Sequence, residues 1–248
     1  MFSSYQRIIA SASLLFISLL FLHPLFFVFF LSLKNNFFNN YYIVLTNYNF
    51  IVYIFNSLFV SLIGSFISVL VCFLAAYYFY KSRSVFSKIL LTLIIVSFLF
   101  PQEAKVIFNF IIIKQLKLLD NLVALFLPFI SVLFNLLLFI QALRFYSSDI
   151  DDQTELEGFN VLQKIFLIQI PVLKSYFITA FITNFLNLWN DFLWPLIVIQ
   201  SDKKYTVQVG INYISKSLIF EPSYFSAAIT ISIVIPILLF VLFQKYFK

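Results

Sequence analysis

Glycine, cysteine, histidine and charge are all scarce in this chain, and each scarcity excludes something. Its 248 residues include 3 glycines, 1 cysteine and 1 histidine, and only 10% are charged. The single Cys72 lies inside an apolar run, so there is no disulfide framework and redox chemistry is not expected. His23 has no second His, Cys or acid at ligand spacing, so no metal site is expected. No glycine-rich phosphate loop occurs, and the chain is not expected to bind ATP by that device. The net charge of +6 comes from Lys and Arg dispersed among loops, without the basic stripe that nucleic acid requires. No set of acid, base and nucleophile stands out, and no enzymatic activity is expected.

Apolar residues are what the chain has in excess. Hydrophobic types make up 62% of it and Phe alone contributes 36 residues. The mean hydropathy of +1.02 is far above that of soluble domains, which defines an all-α polytopic membrane protein. Six runs reach the about 20 helical residues that a ~30 Å hydrocarbon slab requires. They are residues 8–33, 53–80, 89–113, 122–143, 176–199 and 224–243. Each is expected to be a helix, because backbone groups in lipid must bond within their own segment and barrel-like alternation is absent. The run after Arg7 is too long for a secretory signal and has no small-residue cleavage site, so it reads as an uncleaved first helix. Tyr41, Tyr42, Tyr205 and Trp194 lie near run ends and suit interfacial anchoring. The excess of Phe, Tyr, Asn and Ile also fits an AT-rich genome, so scattered Phe is not read as binding surface.

Six spans place both termini on one side, and the positive charges choose which. With the termini cytoplasmic, Arg7, Lys81, Arg83, Lys88, Arg144, Lys164, Lys174, Lys245 and Lys248 lie inside. Lys34, Lys114, Lys117, Lys203, Lys204 and Lys216 then lie outside, a bias of nine to six in the expected direction. No internal repeat or soluble domain is seen, and residues 1–248 read as one membrane domain.

The exception to this apolar character is a polar island from Asp149 to Lys174. It holds Asp149, Asp151, Asp152, Glu155 and Glu157, half of all the acids, together with Gly158. On the charge bias it faces the cytoplasm. The island resembles the cytoplasmic loop of ABC-importer permeases, whose signature runs Glu-Ala-Ala, three residues, Gly, nine residues, Ile-x-Leu-Pro. Asp152-Gln153-Thr154 takes the place of the first triplet, Glu157 that of the usual Asp, Gly158 that of the glycine, and Ile168-Gln169-Ile170-Pro171 that of the end. Gln153, Thr154 and Phe159 replace small residues of the family pattern. The resemblance implies that residues 145–175 carry a coupling helix that docks on an ATPase subunit. Gly158 permits a turn there and Pro171 is expected to open the next helix.

The resemblance extends over nearly the whole chain, to maltose-type (carbohydrate-uptake) permeases. Asn56-Ser57-Leu58, Ala75-Ala76-Tyr77, Leu119-Asp120-Asn121 and Leu143-Arg144-Phe145 fall in family order. Trp189-Asn190-Asp191-Phe192, Trp194-Pro195-Leu196, Thr206-Val207-Gln208-Val209-Gly210, Ala227-Ala228 and Pro236 follow. Within the third run, Pro101-Gln102-Glu103-Ala104-Lys105 puts a costly charged pair inside a span. It resembles a stretch of the second permease of sn-glycerol-3-phosphate importers, with Lys for Arg.

What the resemblance implies is a permease of a binding-protein-dependent ABC importer in a bacterial inner membrane, with glycerol-3-phosphate as the expected cargo and a sugar or oligosaccharide as the alternative. The expected partners are a homologous second permease, two ATPase subunits that hold ATP and Mg, an external solute-binding protein and membrane lipid. Glu103, Lys105, Trp189, Asn190 and Asp191 are the expected pathway residues. A stand-alone secondary transporter is the reading from another class; it calls for carboxylates near the midplane or inverted repeats, whereas here most charge lies in loops.

Overall fold

The computed structural model describes residues 4–145, 153–154, 156–217 and 221–246. Every regular element in them is a helix. The chain divides into two compact units, Met1–Ile51 with Gly210–Ile235, and Val52–Val209 with Pro236–Lys248.

In the first unit, α1 (Ser4–Ser32) is apolar and has Pro24 inside it. Its stretch Ser11–Ser32 buries almost nothing within the chain, as suits a helix surrounded by lipid. α2 (Phe37–Thr46) folds back against its end through polar contacts. Asn36 caps α2 by accepting the Asn39 N–H at 3.2 Å. Asn40, 3% exposed, donates to the carbonyls of Ser32 (2.9 Å), the last residue of α1, and of Lys34 (2.8 Å) just beyond it.

The second unit takes most of α3 (Phe50–Lys81), then α4 (Val85–Ser97), α5 (Gln102–Gln115), α6 (Val123–Phe126) and α7 (Leu133–Phe145). A segment α8 (Val161–Val172) meets α9 (Lys174–Asn190) at 80°, and α10 (Leu193–Val198) follows. α11 (Val207–Ser215) and α12 (Pro222–Phe243) run across the boundary between the units. One core cluster joins α3, α7, α8 and α9 around Phe73, Phe139, Leu143 and Ile165. Phe73 sits edge-on to Phe139 at 5.4 Å, and Phe177 packs 4.8 Å from both rings. A second cluster joins α3, α6, α9 and α10 around Val60, Leu125, Leu188 and Trp194.

Of the six spans expected from the sequence, three are broken: the third, where Pro101 was already expected to interrupt it, and also the fourth and the fifth. Among the described residues three helices are long and apolar enough to cross a membrane alone, and two bent pairs raise the number to as many as five if each pair is one span. Run 89–113 is split into α4 and α5 because Pro101 has no N–H and its ring forces Phe100 out of the α region. Run 122–143 bends by 52° after a 3₁₀ turn, Leu127–Phe129, that contains Pro128. Run 176–199 ends its first helix at Asn190, where Asp191 turns extended (φ −68°, ψ 125°). Pro171 lies within the last turn of α8, and the next helix opens three residues later at Lys174. Trp194, expected at the membrane interface, is 2% exposed and donates its indole N–H to the Ala124 carbonyl at 2.9 Å.

Gly64 marks a tight crossing. A Cβ there would lie 2.6 Å from both Leu188 Cδ1 and Phe126 Cβ. The Leu188 methyl can rotate away, but Phe126 Cβ is fixed to its backbone. Gly64→Ala should therefore cost about 1–3 kcal/mol through overpacking, read as a lower thermal midpoint in detergent. An unchanged midpoint would mean that α3 and α6 do not approach this closely.

Candidate functional site

The three interruptions just described meet at one cavity of about 390 Å³ in the second unit. Phe98 reaches it from the α4–α5 break, Ser131 and Val132 from the α6–α7 break, and Asp191 from the α9–α10 break. Non-helical backbone at membrane depth is tolerated where it is enclosed by protein or lines such a cavity, since its polar groups need partners.

Partners are identifiable at the second and third breaks. The Trp194 indole serves the Ala124 carbonyl. The Cys72 thiol points at the carbonyls of Ile130 (3.8 Å) and Val132 (3.6 Å), which flank the second break. Asp191 Oδ1 accepts the Trp194 N–H at 3.4 Å and so starts α10. Asn135 Nδ2 donates to the Ala180 carbonyl (3.3 Å) and ties α7 to α9.

One wall is a helix face. Asn184, Asn187 and Leu188 recur at i, i+3 and i+4 on α9, and Asp191, the residue that ends the helix, follows at i+7, so they line up on one side. Asn184 is 1% exposed, and its Nδ2 has no hydrogen-bond partner among the described residues. α5 adds Asn109, and aromatic surface comes from Phe98, Phe129 and Trp194. Amides, a hydroxyl and a carboxyl set among aromatic rings can hydrogen-bond the hydroxyls of a polar solute while the rings pack on its C–H faces.

The expected pathway residues divide accordingly. Asp191 lines the cavity. Lys105 is one ring away, with its Nζ 4.8 Å from the centroid of the Phe98 ring that lines the wall. Trp189 is 1% exposed and stacked on Phe185 at 5.8 Å, so it is packing rather than wall. Asn190 is exposed and outside the cavity lining. The backbone of Glu103 lies in the first turn of α5; its side chain is outside the described residues. Asn109, Asn184 and Asn187 were missed, although the spacing of the last two with Asp191 was a readable signal.

Of the expected docking loop, Asp152 lies outside the described residues. Gln153 and Thr154 are helical, and Thr154 is buried at 4% exposure. Gly158 adopts φ +78°. The Phe159 N–H bonds back to the Thr154 carbonyl at 3.1 Å, the 6→1 bond of a left-handed helix C-cap, which is why glycine suits this position. Glu157 is exposed in the same turn, and Ile168 and Pro171 lie in α8.

A polar clasp holds together loops that flank the cavity elements. Asp120, with φ 55°, accepts the N–H groups of Gln200 (3.0 Å) and Ser201 (2.9 Å), the Ser201 hydroxyl and the Lys204 ammonium (2.9 Å). Asn56 Nδ2 donates to the carbonyls of Lys203 (3.0 Å) and Tyr205 (2.9 Å), and Ser57 Oγ accepts the Val207 N–H at 2.8 Å. The Ser201 hydroxyl and N–H, with help from Lys204 and Gln200, hold the Asp120 carboxyl well below the usual carboxylate range.

The all-helical fold with broken spans around a polar cavity defines an integral membrane transport component. The chain belongs to the family of binding-protein-dependent transport system inner membrane components, whose family model matches residues 68–248. It is 32% identical over 194 residues to the lactose transport system permease protein LacG of Rhizobium radiobacter, covering 77% of this chain and 70% of that one. To the arabinooligosaccharides transport system permease protein AraQ of Bacillus subtilis (strain 168) it is 28% identical over 190 residues, covering 77% and 66%. In fold it matches a chain of a bacterial ABC transporter involved in the import of the acidic polysaccharide alginate. That match has a TM-score of 0.88 at 23% identity and covers 100% of this chain and 99% of the other.

The clasp generates a pH prediction. Because the folded-state pKa of Asp120 is depressed, its stabilisation is complete above the unfolded value of about 3.9 and is lost as pH falls below it. Asp120→Ala should lower stability by roughly 1.5–3 kcal/mol at neutral pH, the range for hydrogen bonds to a charged group. The gap in thermal midpoint between wild type and variant should stay constant from about pH 8 to 5 and close below about pH 4. A gap that persists unchanged at acid pH would count against the clasp.

Proposed function

We propose that this chain is a pathway-forming permease of an ABC importer for a saccharide, and that the cavity at the three helix breaks is its part of the route. The observation that carries the reading is Asn184, a buried amide donor that has no partner among the described residues and lines a cavity of ligand size. A buried unsatisfied donor is destabilising, and its persistence in a wall shared with Asn109, Asn187 and Asp191 is explained by a solute that supplies the acceptor. Relatives whose names specify lactose and arabinooligosaccharides support the cargo class.

The reading includes a second permease, two ATPase subunits, an external solute-binding protein and cytoplasmic termini. The loop around Gly158 would dock on an ATPase through its exposed apolar side chains Leu156, Val161 and Leu162. ATP and Mg would be held by the ATPases, and transport would follow as a population shift that the partners bias.

Glycerol-3-phosphate is the second reading, favoured by Lys105 beside the cavity wall. The ionisable group in the wall itself is the Asp191 carboxyl, which suits hydroxyls better than phosphate. Uptake by the reconstituted assembly decides. Lactose or arabinotriose should be taken up in preference to glycerol-3-phosphate, and Lys105→Ala should affect saccharide uptake little. Uptake of glycerol-3-phosphate alone, abolished by Lys105→Ala, would replace the saccharide reading. Asn184→Leu should melt no lower than wild type yet cut saccharide uptake about tenfold, the equivalent of one hydrogen bond worth about 1.4 kcal/mol. Normal uptake by that variant would remove the cavity from the route.

The docking proposal has its own test. A Cβ on Gly158 would meet nothing within 4 Å, so Gly158→Arg costs only the left-handed backbone penalty, about 1–2 kcal/mol. The variant should insert and assemble but lose saccharide-stimulated ATP hydrolysis. Full stimulation would rule the loop out as the coupling element.

A further inference from the structure

The break between α4 and α5 carries an arrangement that the saccharide route does not use. Beyond the end of α4, Leu99 and Phe100 are 78% and 61% exposed, whereas Phe98, the C-cap residue, lines the cavity. The position of Phe98 is fixed at its backbone, because its N–H bonds to the Ile95 carbonyl at 3.1 Å. Lys105 sits against the same ring, with its Nζ 4.8 Å from the centroid, and is not itself part of the lining.

Helix spacing shows how near Lys105 is to the cavity. α5 gives Val106 and Asn109 to the wall, and Lys105 lies four residues before Asn109, on the same side of the helix and about 6 Å along it. A lysine carries its charge on a flexible four-carbon stem, so that distance is within its reach. The group it meets is the Phe98 ring, whose face attracts a cation, the more so where water is thin. Among the described residues that line the cavity, Asp191 has the one ionisable side chain. The wall thus presents a carboxyl and an aromatic surface, while a cation beside it is engaged on that aromatic surface and kept out of the lining.

We infer that Phe98 is a specificity-determining residue: its ring holds the Lys105 ammonium out of the cavity and so keeps the route selective for uncharged saccharides over anionic solutes. With the ring in place, a phosphate or carboxylate entering the cavity meets the Asp191 carboxyl and no compensating cation. That repulsion is strong where the surroundings are of low dielectric. With the ring removed, the Lys105 stem has the vacated volume to enter, where its ammonium can pair with Asp191 or with an anion. Selection of this kind works by withholding an attractive group from the wrong solute as much as by binding the right one. The inference rests on the proposed saccharide route.

The test uses the complete assembly in proteoliposomes and reads uptake of lactose, or of arabinotriose if that is the saccharide moved. Glycerol-3-phosphate on both sides of the membrane is the anionic competitor, and glycerol at the same concentration is the neutral control. A competitor needs no delivery by a solute-binding protein, so its effect reads the cavity. Wild type and Phe98→Tyr, which keeps the ring, should be insensitive to it. Phe98→Ala should be half-inhibited at a concentration about tenfold lower than wild type, and combining it with Lys105→Ala should restore insensitivity. Phe98→Leu, which loses the ring face and keeps most of the volume, should show the same Lys105-dependent inhibition, and it decides the matter if Phe98→Ala does not assemble. Inhibition that is absent from both variants, or that survives Lys105→Ala, overturns the inference and leaves the saccharide reading intact. Inhibition of the wild type that Lys105→Ala removes also overturns it, since the ammonium is then in the route with the ring in place. If the wild-type assembly takes up glycerol-3-phosphate and no saccharide, the saccharide reading fails and the inference with it.

Discussion

A peptide group surrounded by hydrocarbon must find its hydrogen bond inside the protein, and the rest of this structure is arranged around that requirement. An unbroken helix meets it automatically, which is why α1, α3 and α12 need so little polar support. Where Pro101, Pro128 and Asp191 interrupt a helix, the freed groups must be served otherwise. Trp194 and Cys72 face the exposed carbonyls, and Asp191 accepts an amide at the start of α10. The three breaks are gathered in one place, so a few side chains serve them and the space between them becomes a polar cavity within an apolar protein.

The same economy explains the buried polar residues of α3. Ser57, Ser61, Ser65 and Ser68 are all buried on the side that meets the other helices, and Gly64 lies among them at a close approach. Small side chains let backbones come together where the hydrophobic effect between helices is weak, as it is in lipid. Large side chains, Leu and Phe foremost, occupy the exposed faces instead.

The legible part of the sequence was its class. Runs of Phe, Leu and Ile dictate helices in a membrane, and the spaced signature around Gly158 and Pro171 identified the family. Continuity of the runs was not legible, because hydropathy is blind to a single residue such as Asp191 turning extended within an apolar stretch. Pro101 was visible and the interruption of the third run was legible from it, whereas the bend at Pro128 and the extended turn at Asp191 were not. Trp189 and Trp194 show the other limit. An indole reads alike whether it anchors at an interface, lines a route or, as here, is buried against Phe185 or hydrogen-bonded to Ala124. Asn184 and Asn187 were hidden by modest composition: asparagine is common in this chain, and only its helical spacing with Asp191 sets these two apart.

The Asp120 clasp gives α9 the mechanics of a lever. α9 spans 17 residues, about 25 Å. Beyond it the chain passes through two non-helical residues and the short α10 into a loop that Asp120, Asn56 and Ser57 pin from two directions. With that end fixed, a tilt of α9 has its fulcrum at Asp191 and Phe192. A tilt of about 10° then sweeps the Lys174 end by ~4 Å while the side chains beside the fulcrum scarcely move. Large displacement at the Lys174 end and fine adjustment at the cavity would thus be two ends of one rigid rod, with a gearing set by the distance from each residue to the clasp.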